Sequence, residues 1–165
     1  MANQEALFQQ IFTSHSADVF RFAFYLCGDR DQAEDITSET FVRAWTSATP
    51  IRQSSVKAYL ITIARNLYLH DLRRSSRRTS LDAAITMSAD GNAQERAEQN
   101  QQFDAIHRSL AAVPEADRTA LLLYSVESFS YAEIADMLEI SVPAVKTRIF
   151  RARRALEAIR REWRE

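Results

Sequence analysis

The chain has 165 residues, a formal net charge of −1 at pH 7, two glycines, three prolines and a single cysteine. So few glycines argue against phosphate-cradling loops, dinucleotide folds and successive β-hairpins, and one cysteine excludes a disulfide within the chain. Most other residues are good helix formers, so an all-α protein is expected, as one ordinary domain or two small helical ones.

Along the chain, Leu7, Phe8, Ile11 and Phe12 fall at helical spacing within Ala6–Phe12. Ser16 can cap a second helix with Val19, Phe20, Phe22, Ala23, Leu26 and Cys27 on its apolar face, and Gly28 and Asp29 end it. Cys27 lies in an apolar run and is expected to be a buried free thiol. Asp31 opens a third helix that Pro50 cannot continue. Ala33, Ile36, Thr40 and Ala44, with Phe41 and Trp45, form its expected buried side. Glu34, Asp35 and Glu39 leave an acidic surface, which also suits the positive end of the helix dipole.

Residues 51–55 read as a short polar loop, and Ser54 or Ser55 caps a long helix. Val56, Leu60, Ile63, Ala64, Leu67 and Leu72 follow its apolar period. Asn66 sits in mid-helix, where an amide side chain competes for backbone groups and is disfavoured, so it either caps something or reads something. The helix runs out in RRSSRR, with Arg73, Arg74, Arg77 and Arg78, an end that suits both the dipole and phosphate. Thr79 to Asn100 sustains no apolar period and reads as a linker, with acidic balance over Asp82–Asp104.

Helix resumes near Ala97, with Phe103, Ile106, Leu110 and Val113 on one side. Pro114 starts the next helix, in which Ala120, Leu121, Leu123 and Tyr124 lead to Val126. Ser130 and Glu133 then form a capping box. Ile134 and Leu138 face inward, Glu139-Ile140-Ser141 makes a turn, and Ser141 caps a final helix with Pro143 in its first turn. Val142, Val145, Ile149, Ala152 and Leu156 are its buried stripe. Ala144, Lys146, Thr147, Phe150, Arg151 and Arg154 lie on or beside the outward face, and from Lys146 to Arg161 the only acid is Glu157.

The chemistry expected of this chain is binding. His15, His70 and His107 are scattered without metal-ligand spacing, and no serine occupies a nucleophile elbow. No enzyme activity, catalytic residue, cofactor or metal is therefore expected. Met1–Gln10 is too polar for a secretory leader and no apolar run reaches membrane-spanning length, so a cytoplasmic protein without membrane insertion is expected. The last helix pair fits a DNA-reading helix-turn-helix: Lys146 and Arg151 suit guanine edges or phosphates, Thr147 can donate or accept, and Phe150 can touch a thymine methyl. The blander reading is a solvated basic helix on an ordinary bundle.

Four blocks carry a family resemblance: AEDITSETFVRAW (33–45), YLITIARNLYLHDLRR (59–74), LAAVPEADRTALLLYSVESFSYAEIADML (110–138) and SVPAVKTRIFRARRAL (141–156). In order and spacing they resemble the extracytoplasmic-function (ECF) group of sigma factors in the sigma-70 family. The resemblance implies two small helical domains, a region 2 bundle over 1–78 and a region 4 helix-turn-helix over 101–165, joined by a flexible linker over 79–100. Region 2 would dock on the β′ clamp helices of core RNA polymerase and capture the melted −10 element of promoter DNA. Region 4 would sit on the β flap and read the −35 element.

By the same resemblance, polymerase contact falls to Asp35, Ser38, Glu39 and Phe41, with Ser38 where glutamine is usual. An acidic helix face beside an exposed apolar residue suits a basic coiled coil. The −10 contacts fall to Ile51, Arg52, Ser54, Lys57, Asn66, Arg73 and Arg74, in which an amide and a loop hold a flipped base and arginines follow the backbone. The −35 contacts fall to Tyr131, Lys146, Thr147, Arg148, Phe150 and Arg151. Glu139, Pro143 and Ala144 replace the usual glycine and glycine or threonine around the turn. An anti-sigma factor is the further partner implied, able to hold the chain at the inner face of the membrane. The competing readings are a stand-alone helix-turn-helix regulator with an N-terminal dimerisation domain, and an adaptor that binds only proteins.

Overall fold

A computed structural model describes residues 2–47, 56–79 and 103–164. Helix α1 spans Ala2–Cys27, α2 Arg30–Thr46 and α3 Val56–Thr79. Helix α4 covers 103–111, and α5 (Glu115–Ser125), α6 (Tyr131–Leu138) and α7 (Val142–Glu162) follow. The described residues are helical throughout, joined by short turns. Residues 51–55, with Ile51, Arg52 and Ser54 and the expected cap at Ser54 or Ser55, lie outside the described residues, as do Pro50 and 80–100 of the expected linker.

Helices α1, α2 and α3 pack mutually into a first bundle, and α5, α6 and α7 form the core of a second. In the first, Val19, Phe22 and Leu26 of α1 meet Ala33, Ile36 and Phe41 of α2 and Leu60, Ile61 and Ala64 of α3. In the second, Leu110, Leu123, Ile134, Val145, Ile149 and Ala152 share one core.

Several sequence expectations are corrected by these contacts. The N-terminal region is one continuous helix rather than two. Thr13 Oγ1 donates to Gln9 O at 2.8 Å along the helix, and Ser16 lies inside α1 rather than capping a new helix. The cap of α2 is Asp29, not Asp31: its carboxylate accepts from Gln32 N at 3.0 Å. Trp45 is 48% exposed and Ile106 50%, so neither joins the core. Leu72 is also exposed, because the first bundle ends before that turn of α3. Cys27 is half-buried; its thiol donates to Asp29 O at 3.3 Å, and burial pushes its pKa up.

The chain ends α1 where Gly28 takes a φ of +72°, in the left-handed region that glycine enters without penalty. Gly28 has a second constraint, since a Cβ there would collide with the His107 imidazole of α4. That imidazole belongs to the seam between the bundles. His107 Nε2 donates to Phe24 O at 3.0 Å, and Phe103 stacks on Phe24 with centroids 4.2 Å apart and planes at 8°. Burial, then the nearby Arg118 charge, hold His107 below its ordinary pKa, which keeps the ring neutral.

Further along the seam, the buried Arg118 guanidinium donates from Nη1 to Leu110 O at 3.2 Å and from Nη2 to Tyr68 OH at 2.8 Å. It thereby caps the end of α4 and ties α5 to α3. At the far end, Glu127 meets Arg21 and Lys57 of the first bundle.

Candidate nucleic-acid interface

The second bundle presents its reading helix through two side-chain caps. Ser130 Oγ accepts from Glu133 N at 3.1 Å while Glu133 Oε1 accepts from Ser130 N at 3.2 Å. This is the expected capping box, and it starts α6 cleanly. Glu139 turns the chain with φ 56°, a left-handed residue that is not glycine. Ser141 Oγ then accepts from Ala144 N at 3.2 Å and starts α7, with Pro143 in its first turn. Val145, Ile149 and Ala152 are buried. That orientation turns Lys146, Thr147, Phe150 and Arg151 out to solvent, with Arg148 half-buried at the edge. Phe150 is 60% exposed, an aromatic ring with no core role.

Tyr131 lies beside this face, and it is part of a row that sequence reasoning did not assemble. Its ring stacks on Tyr124 with centroids 4.7 Å apart. Lys146 Nζ sits 5.6 Å from the Tyr131 centroid and the Arg153 guanidinium 5.7 Å from that of Tyr124. The signal was available: Lys146 and Arg153 are seven residues apart on one helix, two turns along the same face. The row holds two cations over two stacked rings, an arrangement suited to phosphates at the groove edge.

On the first bundle, Asn66 is exposed on α3. It occupies one face with half-buried Tyr59 and Thr62 before it and exposed Arg73 after it. Thr62 satisfies its hydroxyl on Ala58 O at 2.7 Å, whereas the exposed Asn66 amide makes no hydrogen bond to the described residues. Arg73 and Arg74 are exposed at the basic end. Lys57, in the first turn of α3, is already engaged: Nζ donates to Glu127 O at 2.9 Å and lies 3.1 Å from Glu127 Oε2.

The expected protein-contact face on α2 divides. Asp35, Ser38 and Glu39 are exposed, and Glu39 Oε1 accepts from Arg43 Nε at 3.1 Å one turn on. Phe41 is only 3% exposed, with its ring 4.9 Å from that of Phe12 and 6.3 Å from that of Phe8. It is a core residue and does not supply the exposed apolar contact. The exposed apolar side chains beside this face are Val42 and Trp45, which with Phe8, Phe12 and Ser38 line a groove of about 510 Å³. A second apolar groove, about 490 Å³, runs between α4 and α7 along Ile106, Leu110, Leu156, Ile159 and Trp163.

Among the described residues, no three His, Cys, Asp or Glu side chains cluster as metal ligands. None of the described helices is long and apolar enough to cross a membrane.

Two domains, each with an exposed polar or basic helix face, define a DNA-binding protein of bipartite design. The family model described as Sigma-70 region 2 matches residues 11–78, and that described as Sigma-70, region 4 matches residues 103–156. The chain is 30% identical over 151 residues to the ECF RNA polymerase sigma factor SigM of Bacillus subtilis, covering 91% of this chain and 93% of that one. It is 33% identical over 159 residues to ECF RNA polymerase sigma factor SigL of Mycobacterium tuberculosis, covering 94% and 89%. Among solved structures, the sigma factor RpoE in complex with the anti-sigma factor NepR from Bartonella quintana superposes with a TM-score of 0.76. That match has 27% identity and covers 93% of this chain and 96% of the other. The chain belongs to the sigma-70 family, as an ECF RNA polymerase sigma factor.

Proposed function

We propose that this sigma factor directs core RNA polymerase to two-part promoters and assists melting of the −10 element, with residues 1–78 as the −10 domain, 79–100 as linker and 101–165 as the −35 domain. The observation that carries it is the pair of exposed polar faces on separate bundles: the Asn66 amide open to solvent on α3 and a capped, outward face on α7. Asn66 takes the flipped −10 base, Ile51, Arg52, Ser54 and Lys57 add further −10 contacts, and Arg73 and Arg74 follow the backbone. Lys146, Thr147, Phe150 and Arg151 read base edges of the −35 element, and Tyr131 and Arg148 position the backbone.

Asp35, Ser38 and Glu39, with the Val42–Trp45 groove beside them, offer the acidic and apolar surface for the β′ clamp helices, and Phe41 supports it from below. The α4–α7 groove offers the apolar surface for the β flap. An anti-sigma factor is the regulatory partner, and it sets whether the chain is free in the cytoplasm or held at the inner membrane face. The superposable relative bound to NepR supports that reading.

Run-off transcription with purified core polymerase on a random promoter library tests the function. A two-part consensus that appears only with polymerase is the expected result. A palindrome bound by the chain alone, with half-sites about one helical turn apart, is the outcome a stand-alone regulator requires. On a selected promoter, Asn66→Ala is expected to leave polymerase binding intact and impair open-complex formation. A variant that cannot bind polymerase would make Asn66 structural.

A further inference from the structure

We propose that Arg21 and Lys57 form a phosphate-binding notch for the melted promoter strand, and that Glu127 fills this notch while the two bundles are docked. The inference rests on the −10 reading of α3 and extends it to α1, where sequence reasoning placed no DNA contact. Arg21 comes from the C-terminal third of α1 and Lys57 from the first turn of α3, so two helices of the first bundle aim cations at one carboxylate. The geometry is a two-pronged fork. Arg21 Nε donates to Glu127 Oε1 at 3.1 Å and Nη2 to Oε2 at 2.9 Å. Lys57 Nζ closes on Oε2 at 3.1 Å. The Glu127 side chain is 0% exposed.

Charge explains why this carboxylate is a stand-in. Among the described residues of its own bundle, the notch has one acid, Asp18, whose Oδ1 accepts from Arg21 Nη2 at 2.8 Å and whose Oδ2 lies 4.0 Å from Lys57 Nζ. His15 Nδ1 is 3.9 Å from the same Asp18 carboxylate. Two cations against one carboxylate leave one positive charge, which Glu127 neutralises from the other bundle. A phosphodiester carries the same single charge and two non-bridging oxygens that match the guanidinium fork. Lys57 is nine residues before Asn66 on α3, about 14 Å along the helix and half a turn around it, so a strand that reaches both must cross the helix. A strand whose base is held at Asn66 reaches Lys57 and Arg21 by crossing α3, once Glu127 has withdrawn. Glu127 then acts as a built-in competitor of promoter DNA.

The test uses the purified full chain without polymerase and a labelled random-sequence single strand of about 12 nucleotides, a length within one protein's site size. Binding is read by anisotropy over a salt series, and docking by small-angle scattering. Glu127→Gln keeps the shape and removes the charge. It is expected to separate the bundles, bind the strand roughly three- to tenfold more tightly at low salt, and steepen the log K against log salt slope by about 0.7 for each phosphate gained. The triple variant Arg21→Gln, Lys57→Gln, Glu127→Gln should separate equally and return to wild-type binding. Circular dichroism confirms that each variant is folded.

Bundles that separate with no gain in binding would overturn the notch, and bundles that stay docked would overturn the competitor role. Gain retained by the triple variant would also overturn the notch. Because the probe is random and polymerase-free, these outcomes are independent of the Asn66→Ala result, which alone decides the −10 base reading.

Discussion

The two helices proposed to face DNA differ in readiness. α7 is capped by Ser141, seated by Val145 and Ile149, and offers its row to solvent with the bundles docked. α3 offers Asn66, but Lys57 at its start is tied to Glu127 of the other bundle. A reader of duplex DNA must fit an existing groove and gains from rigidity. A reader of melted DNA meets a strand only after opening, so part of its surface can be held in reserve. The docked seam combines ion pairs, one buried arginine and an aromatic stack, the mixed character of interfaces between domains that move relative to one another.

The largest perturbation that separates the two bundles is Ile149→Ala. It should remove about 2–5 kcal/mol from the second bundle through the cavity it leaves. Single-tryptophan variants report the halves separately, Trp45 in the first bundle and Trp163 at the end of α7. The Trp163 transition should fall well below that of Trp45, and coincident transitions would mean that the bundles melt as one unit.

Next in size, Arg151→Ala should weaken recognition of the −35 element by about 1–3 kcal/mol if its contact is to a base edge. Thermal stability should stay near wild type, because Arg151 is exposed. Equal occupancy of wild-type and altered −35 sequences by the holoenzyme would be the signature of a lost base contact, and unchanged discrimination would remove Arg151 from the reading set. Ser141→Ala deletes a cap and should cost about 1 kcal/mol. Its effect should appear in the Trp163 transition and leave Trp45 unchanged.

The smallest effect sharpens the seam rather than either bundle. His107 has a pKa held below its ordinary value by burial and Arg118, so the docked or folded state favours neutral imidazole. The stabilising contribution is therefore full above the unfolded value of about 6.5 and declines as pH falls below it. Fluorescence transfer between labels on α1 and α4 should show the seam loosening with acid. His107→Gln should flatten that dependence, and an unchanged profile would place the titrating group elsewhere.

The helices and the outward face of α7 at Lys146, Thr147, Phe150 and Arg151 were legible because they rest on local rules. A serine followed three residues later by glutamate marks a capping box wherever it occurs, and the 3.6-residue period places Val145 inside and Arg151 outside. Ser16 was misread because the same residue type caps some helices and rides inside others, and α1 continues through it. Phe41 and Trp45 are four residues apart on one face, yet one is buried and the other exposed. Depth in the bundle, not phase, separates them. The seam could not be read at all. Arg21 and Glu127 are 106 residues apart, and charged residues at that separation carry no periodic mark of their partner.

The length of α7 has a consequence of its own. Its 21 residues make a rod of about 31 Å. The row at Lys146–Arg151 is at one end, and the groove lined by Leu156, Ile159 and Trp163 is at the other. An unbroken helix does not bend readily between them, so whatever seats in the groove sets the angle at which the other end meets the double helix. In the proposed function, a partner seated in this groove would aim the reader as well as anchor it. A change at Trp163, remote from any base, should alter the tolerated spacing between promoter elements before it alters the sequence preferred at either one.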